Sequence, residues 1–80
     1  MNKDHSLLII GVGSIGERHL RCFQATGRVE LSICELNESL RNEVGERYGI
    51  SKRFGNLEAA LGDKPGIALI AAPEGIAAIE

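Results

Sequence analysis

Gly11, Gly13 and Gly16 stand in G-x-G-x-x-G spacing directly after four apolar residues, Leu7-Leu8-Ile9-Ile10. The chemistry open to this pattern is the capture of an anion by backbone N–H groups. Gly11 lets the chain turn sharply out of a strand, Gly13 lets phosphate oxygens come close to the backbone, and Gly16 lets the next helix pack against the strand. A helix starting near Ser14 aims its unpaired N–H groups and the positive end of its dipole at the same point. Glu35 lies 19 residues after Gly16, at the end of a second apolar run of Val29, Leu31 and Ile33. A dinucleotide site calls for an acid about 20 positions beyond the glycines, where it accepts hydrogen bonds from the adenosine ribose hydroxyls. The competing account is a glycine-rich βα turn that binds nothing. Strand, glycines, helix, strand and carboxylate in this order favour the dinucleotide.

The elements that must position these residues follow from periodicity and caps. The pattern predicts a first strand over Ser6–Ile10 and a first helix over Ser14–Ala25, with Gly27 just past its end. On that helix Ile15, His19, Cys22 and Phe23 recur at helical spacing and are expected to form the packed face. A second strand is predicted over Glu30–Cys34. Asn37 is placed to cap a second helix, along which Leu40, Val44, Arg47 and Tyr48 recur before Gly49. Residues 51–54 suit a short edge strand. Asn56 caps a short helix over Leu57–Leu61, stopped by Gly62 and Pro65-Gly66. Ile67–Ala72 reads as a buried strand ended by Pro73, and Ile76, Ala77 and Ile79 open a further helical turn. The resulting β-α-β-α-β-α-β order, with right-handed crossovers, makes a three-layer α/β half-domain of Rossmann type with a parallel sheet in the order 3-2-1-4.

Composition narrows the class. Eighty residues make one small domain, and 44% hydrophobic content supports a packed core. The net charge of −2 and three aromatics give no nucleic-acid footprint. No apolar run is long enough to span a bilayer, and Met1–Ser6 form no signal-peptide core, so a cytoplasmic location is expected. Cys22 and Cys34 lack metal-ligand spacing and are expected to be reduced, mostly buried thiols. His19 is expected to be structural, and His5 solvated. Lys52-Arg53 suits a charged edge strand. Glu35 repels a 2′-phosphate, and Arg41 is the nearest base that could offset it, so NAD is favoured over NADP.

The stretch Gly11-Val-Gly-Ser-Ile-Gly-Glu-Arg-His19-Leu20-Arg21 resembles the start of the glucose–fructose oxidoreductase / inositol dehydrogenase / MocA family. Asn56-Leu-Glu-Ala-Ala-Leu61 and Ile67-Ala-Leu-Ile-Ala-Ala-Pro73 resemble that family's third helix and fourth strand, so the likeness runs from Leu7 to Pro73. The resemblance implies the NAD(P)-binding domain of an oxidoreductase, a dehydrogenase acting on a sugar, inositol or related polyol. It implies a cofactor-binding set of Gly11, Val12, Gly13, Ser14, Ile15, Gly16, Glu35, Leu36, Ala72 and Pro73. Within that set Ser14 and Ile15 offer backbone N–H groups, Glu35 binds ribose, and Ala72 and Pro73 lie beside the nicotinamide ribose. The Glu-Lys-Pro-type segment of catalytic members is not in this chain, and Glu74-Gly-Ile-Ala replaces a loop that often holds a His.

The chain therefore reads as an incomplete domain, a fragment lacking the substrate domain and not expected to catalyse alone. No catalytic or metal-ligating residue is assigned. In the 3-2-1-4 order the fourth strand lies at an open edge, which points to a homo-oligomer joined there or through Ile76–Ile79. The alternative functions are a stand-alone nucleotide-binding or sensor module, or a non-catalytic truncated product that oligomerises.

Overall fold

The computed structural model describes residues 5–71. Along the chain run β1 (His5–Ile10), α1 (Ser14–Thr26), β2 (Val29–Cys34), α2 (Glu38–Tyr48), β3 (Arg53–Phe54), α3 (Leu57–Gly62) and β4 (Ile67–Ile70). The caps explain where the helices start and stop. The Asn37 side chain accepts from the Leu40 N–H at 3.0 Å and the Asn56 side chain from the Ala59 N–H at 2.7 Å. Each satisfies one of the unpaired donors of a first turn. Gly27 and Gly49 close α1 and α2 in the left-handed conformation. Helix α3 runs through Gly62 to a cap at Asp63, one residue past the expected stop.

The four strands are all parallel, in the order β3-β2-β1-β4. Leu7, Leu8, Ile9 and Ile10 pair with Leu31, Ser32, Ile33 and Cys34 on one side and with residues 67–70 on the other. Side chains alternate between faces along each strand, and helices cover both. Leu7, Ile9, Leu31 and Ile33 meet Leu20 of α1 and Val44 of α2 on one face. Leu8 and Cys34 meet Ala60 of α3 on the other. Strand β1 is thus buried on both sides, which is why it reads as an unbroken apolar run. Fully burying a residue such as Leu8 or Ile9 contributes about 1.5–3 kcal/mol.

Three expectations are corrected. The packed stripe of α1 is Gly16 and Leu20, not Ile15, His19, Cys22 and Phe23. Gly16 must face the Gly11 carbonyl, and at about 100° per residue that turns Ile15 and Cys22 outward. His19 is half-buried, and Phe23, nearer the helix end, keeps 36% of its surface exposed. Cys22 is accordingly an exposed free thiol, whereas Cys34 is buried. Finally, β4 is not buried over the described residues: Ile67 and Ile70 are 53% and 48% exposed. Among the described residues it has a partner strand on one side only, and α1 packs mainly on β1 and β2 and α2 on β2 and β3. The part of the fourth-strand expectation that falls on Ala72 and Pro73, and the helical turn at Ile76–Ile79, lie outside the described residues.

Helices α1 and α2 are joined at the surface by Glu17. Its Oε2 accepts from the Tyr48 hydroxyl at 2.8 Å and from Arg47, which also reaches Glu43. Arg47 thus bridges the helices on the solvated face of α2. The Tyr48 hydroxyl, then Arg47, hold the Glu17 carboxyl below its ordinary range. A carboxylate whose pKa falls on folding stabilises the fold above its unfolded pKa, and that contribution fades as pH drops through the folded value. Glu17→Gln is expected to cost about 1 kcal/mol at neutral pH. It should also flatten the loss of stability on acidification below a pH of about 4.5. Denaturant titrations at a series of pH values measure both effects.

Candidate nucleotide-binding site

The site forms where β1 and β2 end and α1 begins. Gly11 leaves β1 with φ +89°, a left-handed conformation that side-chain-bearing residues rarely adopt. Its N–H donates to the Cys34 carbonyl at 2.8 Å, tying the turn to β2, and a Cβ on it would sit 3.0 Å from the Ala71 carbonyl oxygen. A Cβ on Gly16 would overlap the Gly11 carbonyl oxygen. These two glycines are required by the fold itself.

Gly13 differs from both. It caps α1 with φ −69° and ψ −160°, an ordinary extended backbone, and a Cβ there would meet nothing within 4 Å. It makes no side-chain cap, so the first N–H groups of α1, Ser14 and Ile15 among them, have no capping side chain. Neither crowding nor backbone strain accounts for a glycine at this position. The backbone there is open to the approach of an outside group. Both Ser14 and Ile15 are exposed. Glu17, the acid in the first turn, is drawn away toward Arg47 and Tyr48, which moderates its repulsion of an anion at the helix start.

Glu35 follows β2. Its Oε1 accepts from the Val12 N–H and its Oε2 from the Asn37 N–H, each at 3.0 Å. Each oxygen keeps a second acceptor site. The carboxylate therefore links the glycine turn to the start of α2 and still has capacity for two hydroxyls. Val12 serves the site only through this bond, since its side chain is fully buried in the core. Leu36, by contrast, is 81% exposed beside Glu35.

Gly11, Gly13, Glu35 and Leu36 line one cleft of about 400 Å³. Its remaining walls are apolar and include Leu40, Leu57 and Ile70, with Cys34 behind them. Burial, followed by the neighbouring Glu35 charge, pushes the Cys34 thiol up, so it stays protonated and unreactive. Of the expected site residues, Gly11, Gly13, Glu35 and Leu36 line this cleft, Val12, Ser14, Ile15 and Gly16 do not, and Ala72 and Pro73 lie outside the described residues. The apolar walls from α2, α3 and β4 escaped the sequence reading, because only the parallel crossovers bring them to one end of the sheet. His19 lies on α1 and does not line the cleft. Among the described residues no group of three or more His, Cys, Asp or Glu side chains is placed to hold a metal, and no helix is long and apolar enough to cross a membrane.

No protein-family model matches the chain, and no curated protein matches it. Among solved structures, the WlbA dehydrogenase from Chromobacterium violaceum, in complex with NADH and UDP-GlcNAcA, superposes with a TM-score of 0.76 at 20% identity. The match covers 95% of this chain and 23% of that one. The likeness is one of fold: this chain has the architecture of a Rossmann-type half-domain and spans about a quarter of the dehydrogenase's length.

Proposed function

We propose that the chain is the NAD-binding part of an oxidoreductase acting on a sugar, inositol or related polyol, in the cytoplasm. The observation that carries this reading is Gly13, a glycine that the fold does not need at the open N-terminus of α1. The residues fit a dinucleotide. The N–H groups at Gly13, Ser14 and Ile15 meet the pyrophosphate, with Gly11 and Gly16 shaping the turn. Glu35 takes the adenosine ribose hydroxyls, and Leu36 with the apolar walls takes the adenine. Ala72 and Pro73 belong beside the nicotinamide ribose. The bound cofactor supplies hydride transfer; this chain's residues bind and orient it. The sugar or polyol class rests on the sequence resemblance, and the sugar-nucleotide complex of the structural neighbour is in keeping with it.

The deciding experiment is a calorimetric titration of the 80-residue chain with NADH, with NADPH alongside. Saturable binding that prefers NADH supports the proposal. No binding by a sample that melts cooperatively refutes it and leaves the non-catalytic, oligomerising product as the better reading.

The exposed β4 carries a second proposal, that copies of the chain associate along this edge. Among the described residues Ile67 and Ile70 are about half exposed on a strand paired on one side only, and an uncovered apolar edge is a template for another strand. Sedimentation velocity across a concentration series should show reversible self-association that Ile67→Lys abolishes. A monomer at every concentration refutes it.

A further inference from the structure

Arg41 is the cation of α2 nearest to Glu35 in sequence, yet it does not line the cleft although its neighbour Leu40 does. Its Nη1 donates to the Glu35 main-chain carbonyl at 2.9 Å. The guanidinium lies against Gly55, where a Cβ would stand 2.7 Å from Nη1 and 3.3 Å from Cζ. Gly55 is outside the left-handed region, so its backbone asks for no glycine. What the missing side chain provides is room for Arg41. Among the described residues Arg41 forms no ion pair, unlike Arg47 and Lys52. It is an uncompensated cation held behind the residue that faces the ribose.

We propose that Gly55 determines cofactor preference by sheltering the Arg41 guanidinium away from the ribose position. The inference rests on the dinucleotide reading and deepens it. NADP differs from NAD by a 2′-phosphate, which a carboxylate repels and a nearby arginine accommodates. Glu35, fixed by the Val12 and Asn37 N–H groups, supplies the repulsion. The arginine that could offset it is tied to a carbonyl and tucked into the Gly55 niche. A methyl group at position 55 fills that niche. Because the atoms it meets are the far end of a flexible side chain, the guanidinium moves rather than the backbone. Displaced, it becomes available to the 2′-phosphate.

The test is the ratio of NADPH to NADH dissociation constants for the full chain, for Gly55→Ala, and for the double variant Gly55→Ala/Arg41→Met. Gly55→Ala should narrow the preference for NADH about tenfold, the size of one charge-assisted contact. The double variant should restore the parent ratio, because the gain runs through the arginine. An unchanged ratio in Gly55→Ala overturns the proposal. So does a narrowed ratio that persists in the double variant. Loss of the cooperative melt in Gly55→Ala also overturns it, since the guanidinium then cannot move aside. Failure of the parent chain to bind either nucleotide is a different result: it removes the dinucleotide reading on which the inference stands.

Discussion

Gly16→Ala is expected to lower the stability of the chain by about 3 kcal/mol, at the upper end of the cost of overpacking. For a domain of this size that is a fall in Tm of roughly 15 °C. The physical reason is where the added methyl group goes. It overlaps the Gly11 carbonyl oxygen and reaches within 3.5 Å of the Ala71 Cβ. None of these atoms can swing aside. The Gly11 carbonyl shares its peptide with the Val12 N–H, which is bonded to Glu35, and Ala71 is held by its N–H bond to Ile10. Relief requires α1 to lift from the sheet, and Leu20, which seals the larger core one turn later, lifts with it. Helix propensity works in the opposite direction, since alanine outscores glycine in a helix interior by about 1 kcal/mol. A variant as stable as the parent would show that the contact between helix and turn is loose enough to take a methyl group. Thermal melts followed by circular dichroism decide the matter.

Gly13→Val is expected to do the reverse, keeping the fold and losing the ligand. The φ and ψ of Gly13 suit a β-branched residue, and its surroundings are open. Stability should change by no more than about 1 kcal/mol, the scale of an altered N-cap. NADH affinity should fall about a hundredfold, because the isopropyl group occupies the approach to the first N–H groups of α1, and charge-assisted bonds of that kind are the strong ones. The two readouts must separate. A variant that melts like the parent and binds like the parent would make Gly13 incidental and remove the main support for the functional proposal. Separated readouts of this kind would divide one short motif into a residue the fold needs, Gly16, and a residue the ligand needs, Gly13.

Most of this architecture was legible in the sequence because its signals are local. Leu7–Ile10 is apolar without alternation, as a strand covered on both faces must be. Asn37 and Asn56 sit at the positions where their side chains cap α2 and α3. The glycine spacing and Glu35 point to the candidate cleft that Gly11, Gly13 and Glu35 line. Three features escaped, each because it depends on contacts between distant parts of the chain. The packed face of α1 is set by the Gly11 carbonyl under Gly16, a close approach that hydrophobic periodicity does not register, so Ile15 drew attention that belonged to Leu20. The exposure of β4 depends on which strands α1 and α2 cover, and its composition alone suggests burial. The niche for Arg41 joins α2 to the turn after β3, and nothing in the residues around Gly55 signals the guanidinium that lies against it.

The grip of Val12 and Asn37 on Glu35 bears on how fast a nucleotide could be captured. A carboxylate held at both oxygens has few rotamers left to lose, so little side-chain entropy is given up when it meets a ribose. Encounter then need not wait for a rearrangement of this residue, and association should proceed in a single phase. Residence time, rather than arrival, would set the differences among related nucleotides. A ligand's departure leaves the carboxylate still fastened, poised for the next arrival.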